Sequence, residues 1–218
     1  MNSIDYDLIR SRRRSLSVTV RDGHVTVKAP YGMAEEAIRK FIADKRRWIE
    51  SKIAEQNFSS VRFAAVRNGE TLLDEGAAKP VCFGASKNAE SDDAFYLKGS
   101  GTVRGYFEKT RGWLLYEYVH AFSRNMGVSP SDVSLCDFKA RWGSCDADGR
   151  LKLNWRLTML PPELRDYVII HELSHLRELN HSAAFWRVVG RYCPNYRECR
   201  KALRDYAFLT QLYRKANS

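Results

Sequence analysis

The sequence, 218 residues long, lacks several features, and each absence excludes a class of protein. No apolar run reaches roughly 18 residues, so no membrane-spanning helix is expected. The first residues, Met1-Asn-Ser-Ile-Asp-Tyr-Asp7, show no basic stretch leading into an apolar one, so no secretory signal is expected. There is no C-x-x-C. The five cysteines, Cys82, Cys136, Cys145, Cys193 and Cys199, are odd in number and not spaced for a zinc ribbon. That argues for reduced thiols and a cytoplasmic setting. Neither an internal repeat nor a low-complexity tract occurs, and no glycine loop of the Walker type is present to cradle a nucleotide phosphate.

What remains is a chain able to build a core. Its hydrophobic content is 44%, and its length suits one domain or one with a small appendage. The formal net charge is +10. Such a surface attracts nucleic acid, nucleotides or anionic membrane, and it also serves plain solubility.

The most informative stretch runs from Tyr167 to His181 and contains H-E-x-x-H as His171, Glu172 and His175. Residues four apart on a helix share a face, so His171 and His175 can aim at one metal ion. Glu172 can then reach a water on that ion without ligating it. A zinc hydrolase needs this set: two helical nitrogens, a carboxylate base and an open position. A third ligand is wanted. Glu178 lies two turns from His171, roughly 10 Å along the axis, too far for one ion on a straight helix. His181 can reach only if the helix stops and the chain turns back. Asn180 offers a stop, and Ser182 an N-cap for a following helix at residues 183–189. His181 is therefore assigned as third ligand to one Zn2+, and Glu178 as a group supporting the ligands.

In chain order, Leu16–Val20 and His24–Ala29 alternate and flank Asp22-Gly23, a hairpin signal. Arg10-Ser-Arg-Arg-Arg14 reads as a phosphate patch or as a charged strand edge. Residues 34–56 show helical spacing from Ala34 to Ile53. Residues 57–104 read as a small irregular β region. Residues 104–126 return to helix, ended by Gly127. Residues 132–157 read as a hairpin: Val133 to Trp142, a turn at Asp146–Gly149, then Arg150 to Leu157. Its edge beside the metal helix would suit an extended peptide. Pro161-Pro162-Glu163 opens the metal helix. Residues 182–214 hold one or two further helices broken near Cys193-Pro194, the last capped by Asn195. Within Arg141-Trp-Gly-Ser-Cys145, Arg141 can bind a carboxylate or phosphate, Trp142 can wall a pocket, and Gly143 permits a close backbone approach. Cys145 reads as a packed residue. An equally open reading is that the pentapeptide fixes the hairpin onto the metal helix.

Arg141–Cys145, Leu153-Asn-Trp-Arg-Leu157, Pro161-Pro162 and His171–His181 with Phe185-Trp186 together resemble the YgjP-like metal-dependent hydrolases, grouped with zincin-type metallopeptidases. Arg12–Ser17, Ala29-Pro30 and Lys45–Ile49 extend the likeness over nearly the whole chain, most weakly at 57–104. The resemblance implies a zinc-dependent hydrolase with His171, His175 and His181 as ligands and Glu172 as general base or acid. It implies an α+β, zincin-like core at 104–218 and a β-rich N-terminal region at 1–103, made of a hairpin, a helix and a small β region. It also leaves the substrate open. A peptide or protein is the first expectation, and a nucleotide pyrophosphatase acting on UTP is the alternative.

Two neighbouring groups differ. Metzincins carry glycine where this chain has Glu178, and no methionine follows Met159 to form a Met-turn. SprT-like proteases share H-E-x-x-H and act near DNA, which the positive charge would suit, but no zinc ribbon follows.

Overall fold

The computed structural model describes residues 4–21 and 23–213. The chain divides into two compact units, Met1–Ala64 and Ala65–Ser218. Among the described residues, helices and three separate sheets alternate along the chain, a mixed α and β architecture.

In the first unit, β1 (Asp7–Ser11), β2 (Ser17–Arg21) and β3 (His24–Pro30) form a sheet of order β1-β3-β2. The hairpin is antiparallel, with Val18 opposite Val27 and Val20 opposite Val25. Gly23 takes φ 78°, while Asp22, the other residue of the expected turn, lies outside the described residues. The sequence suggested two strands here; β1 is a third, parallel to β3. Its charged pattern, Asp-Leu-Ile-Arg-Ser, hides it. Helix α1 spans Glu35–Arg62, six residues beyond the expected end, since no glycine or proline interrupts residues 57–62. Ile38, Ile42 and Ile49 of α1 bury against Val25, Val27 and Ala29 of β3. Gln56 clamps the turn: its side chain accepts from Gly23 N–H at 3.0 Å and donates to the Val20 carbonyl at 2.9 Å. Arg10 donates to the carbonyls of Pro30, Tyr31 and Met33 at 3.3, 3.1 and 2.8 Å. It holds the β3–α1 connection, a structural task rather than a phosphate site.

The second unit opens with the short helix α2 (Ala64–Arg67) at the boundary. Strands β4 (Thr71–Asp74), β5 (Ala77–Phe83), β6 (Ala89–Glu90) and β7 (Phe95–Leu97) follow, in order β4-β5-β7-β6. The sequence suggested a boundary at 103/104. The compact unit starting at Ala65 instead carries this sheet along, for three reasons. Phe95 packs on Phe107, with ring centroids 5.5 Å apart. Arg111 forks onto Asp74 at 2.6 and 2.7 Å. Glu75 and Gly76 donate their N–H groups to the carbonyls of Thr158 and Met159 at 3.1 and 3.0 Å.

Helix α3 (Val103–Met126) ends, as expected, at Gly127 in the left-handed conformation. Next come β8 (Asp132–Cys136), β9 (Gly143–Cys145) and β10 (Arg150–Asn154), ordered β8-β10-β9. This corrects the expected hairpin. The stretch Val133–Trp142 is not one strand: β8 pairs parallel with β10, residues 137–142 leave the sheet, and β9 returns antiparallel on the other edge of β10. Residues 155–157, expected to continue the strand, belong to a buried 3-10 turn, Trp155–Met159. Helix α4 spans Pro162–Ser174, with proline in its first turn as expected. Helices α5 (Ala183–Tyr192) and α6 (Tyr196–Ala202) break at Cys193-Pro194, and a 3-10 stretch, Leu203–Gln211, replaces the expected continuation. Among the described residues no helix is long and apolar enough to cross a membrane.

Candidate metal centre

Helix α4 is buried on most sides by Leu164, Val168, Ile169, Ile170 and Leu173. It ends sooner than expected. Ser174 is its last residue, His175 occupies the C-cap, and Asn180 plays no part in the stop. Leu176 and Arg177 donate to the carbonyls of Leu173 and Ser174, tightening the exit into i→i+3 turns. Ser174 bonds back to the Ile170 carbonyl at 2.7 Å, and Arg177 bonds the carbonyl of Met126 at the end of α3. The chain is thereby turned back over a few residues. Ser182 caps α5, its hydroxyl accepting from Phe185 N–H at 3.3 Å.

The turn brings three imidazoles together. One ring nitrogen from each of His171, His175 and His181 lies within 4.8 Å of the other two, with Nε2 of His171 and His181 3.0 Å apart. Zinc–nitrogen bonds at tetrahedral angles separate ligand nitrogens by about 3.3 Å. The cluster is therefore close to a ligand arrangement. Phe185 is its floor, its ring centroid 4.9, 4.6 and 4.7 Å from those of His171, His175 and His181. Trp186 closes one side, 5.7 and 5.8 Å from His171 and His181, with Tyr196 stacked behind it.

Electrostatics favour neutral rings on α4. Burial, then the neighbouring histidines and Arg200, push the His171 pKa down to about 3. Burial also lowers that of His175. Neutral imidazole is the ligand form. His175 Nδ1 lies 3.2 Å from the Glu178 carbonyl. With its proton there, Nε2 is left to bind. The sequence pointed to the Glu178 side chain as support; it is the main-chain carbonyl that touches the ring.

Glu172, 8% exposed, stands on the same helix with its carboxylate against β9. A Cβ at Gly143 would sit 2.7 Å from Glu172 Cγ and 3.0 Å from Oε1. Only glycine leaves room there. Burial lifts the Glu172 pKa to about 7, against a smaller lowering by Arg141. Cys145 is near enough to feel Glu172. Burial first, then Glu172 and Asp146, hold its thiol up at about 11, so it stays protonated.

Arg141 is exposed beside Glu172, and Trp142 is half-buried. Two residues that motif reading left without a role hold their loop. Asn154 is fully buried. Its amide donates to the carbonyls of Phe138 and Arg141 at 3.0 and 3.1 Å, and its N–H to Trp142 at 2.8 Å. Arg156, also fully buried, bonds Asp137 at 2.5 Å and the Leu212 carbonyl at 3.0 Å. A polar pair inside the apolar run Leu153–Leu157 was the available signal. Asn195 sits at the start of α6 but makes no side-chain cap, accepting instead from the Cys193 thiol.

No curated protein matches the chain. Two solved structures are similar to part of it. The metallopeptidase zymogen abylysin of Pyrococcus abyssi is 23% identical, over 41% of this chain and 90% of its own, at TM-score 0.38. The metallopeptidase zymogen jannalysin of Methanocaldococcus jannaschii is 20% identical, over 42% of this chain and 95% of its own, at TM-score 0.39. The family described as "YgjP-like, metallopeptidase domain" matches residues 14–206. That span takes in both the histidine cluster and the first unit's hairpin, and the chain therefore belongs to the YgjP-like family of metal-dependent hydrolases.

Proposed function

We propose that this protein is a zinc-dependent peptidase with a zincin-like core, in which His171, His175 and His181 hold one zinc ion and Glu172 is the general base. The observation that carries the reading is the convergence of three imidazoles within 4.8 Å, next to a buried carboxylate. Three imidazoles suit zinc and leave a fourth position open. When bound, zinc lowers the pKa of a coordinated water toward about 7 and polarises a carbonyl.

The chain's own groups do the rest. Glu172 takes a proton from the attacking water and delivers it to the leaving amine. Its raised pKa, about 7 in the metal-free protein, suits a group that must hold and release a proton near neutrality. Gly143 keeps the carboxylate in place, and Phe185 holds the ligand rings. Arg141 and Trp142 contact substrate. Strand β9, at the edge of its sheet and packed toward α4, offers main-chain groups to an extended peptide.

The test is cleavage of an unfolded protein by zinc-loaded enzyme and by Glu172→Gln at equal metal content. The wild type should cleave, and the variant should lose about 10²–10⁴-fold. Equal activity in the two would overturn the assignment. Chelation should abolish cleavage and zinc restore it. Metal-dependent pyrophosphate release from UTP without peptide cleavage would move the same centre to nucleotides. Steeply salt-dependent DNA binding would support a nucleic-acid-associated protease.

A further inference from the structure

The arginines of the second unit differ in what they hold. Arg104, Arg111, Arg150, Arg156 and Arg165 each hold a carboxylate partner. Among the described residues Arg67, Arg141, Arg191, Arg197 and Arg200 instead lie over aromatic rings, and of these Arg141 and Arg200 are the pair whose charge reaches Glu172 and His171. Both are exposed, and each lies over one aromatic ring: Arg141 over Phe138 at 4.6 Å, Arg200 over Trp186 at 5.2 Å. A stacked guanidinium is oriented, yet its N–H edge stays free for a planar anion.

Both flank the histidine centre. Trp186, beneath Arg200, packs against His171 and His181. The charge of Arg200 is felt at His171 and Tyr167, and that of Arg141 at Glu172. Arg141 lies two residues before Gly143, which meets the Glu172 side chain, whereas Arg200 lies over Trp186, which meets His171 and His181, so the two cations approach the centre from different elements. The ligand set adds to the effect. Three imidazoles contribute no negative charge, so a divalent ion held there is offset only by Glu172. The site is thus a focus of positive potential with two free, separated anion forks.

We propose that the substrate is an acidic peptide, with carboxylate side chains on both sides of the scissile bond held by Arg141 and Arg200. This rests on the peptidase reading and narrows it. A nucleoside triphosphate fits less well. Its charges are contiguous, whereas these forks come from different elements, the 137–142 segment and α6, and the sequence has no glycine loop to gather phosphates.

The experiment uses one quenched fluorescent peptide backbone in three versions, with Glu, Gln or Lys at the positions flanking the cleaved bond. Zinc-loaded protein should cleave the Glu version with kcat/KM about tenfold above the Gln version, and the Lys version least. The gain should lie in KM, since the carboxylates do not react. It should shrink between about 50 mM and about 500 mM salt. Arg141→Met and Arg200→Met should each remove part of the preference, and the double variant all of it, with metal content and Tm unchanged.

Binding supplies a second readout. Fluorescence anisotropy of the labelled Glu and Gln peptides on Glu172→Gln should show the same order without turnover. Equal cleavage and equal binding of Glu and Gln peptides would overturn this proposal and leave the peptidase reading standing. So would a preference that survives the double variant. Pyrophosphate release from UTP, with no peptide of any charge cleaved, would overturn both.

Discussion

Two sheets in this molecule look alike in sequence and differ in structure. Leu16–Ala29 and Asp132–Leu157 both read as hairpins. In the first, β2 and β3 are adjacent in the chain and in the sheet, and Val18, Val20, Val25 and Val27 meet across it. In the second, β10 pairs with β8 on one side and β9 on the other, with residues 137–142 looped out between them. The difference lies in where main-chain carbonyls find donors. Those of Phe138 and Arg141 go to the side-chain amide of Asn154, and that of Lys139 to the Thr210 hydroxyl. A continuous strand would have sent them to its neighbour. Alternation decides a local hairpin; buried polar side chains from elsewhere can override it.

That contrast can be broken most severely at Arg156. Among the described residues, Arg156→Met leaves Asp137 with only Arg104, 3.8 Å away, and abandons the Leu212 carbonyl. The expected cost is about 3–5 kcal/mol, or on the order of 10 °C in Tm, read by thermal and urea unfolding. A loss below about 1 kcal/mol would mean the loop stands without its buried polar support.

Gly143→Ala comes next. Its methyl would meet the Glu172 side chain, so turnover should fall about a hundredfold while zinc content holds. Metal analysis beside kinetics separates a moved base from a lost ion. In the first unit, a methyl group added at Gly32 would meet nothing within 4 Å. Gly32→Ala should change stability by no more than about 0.5 kcal/mol.

The smaller test of the local hairpin is Gln56→Ala. It removes two bonds to the β2–β3 turn and should cost about 1 kcal/mol, with no effect on turnover. A much larger loss would show that this hairpin, too, depends on distant polar support.

Much of the site was legible because it is local. His171 and Glu172 lie on a helix whose start is marked by Pro161-Pro162, with His175 at its C-cap, and Ser182 signals the next one. Helix α3 was legible from its spacing and Gly127. Less could be read where the controlling group is remote. The end of α4 at Ser174 depends on Arg177 reaching Met126, 51 positions away in sequence. The 71–97 sheet joins the second unit through Arg111 and through Thr158 and Met159.

The sequence by itself determined which atoms are available: three imidazoles, one adjacent carboxylate, a glycine where β9 meets that carboxylate, and a surplus of arginine. Helical periodicity alone sets two of the imidazoles side by side. Only the tertiary structure decided that His181 turns back onto them, that Glu172 is buried deeply enough to hold its proton near neutrality, and that Arg141 and Arg200 stand over aromatic rings rather than against carboxylates. Such outcomes depend on burial and on contacts between residues far apart in the chain, which no local pattern encodes.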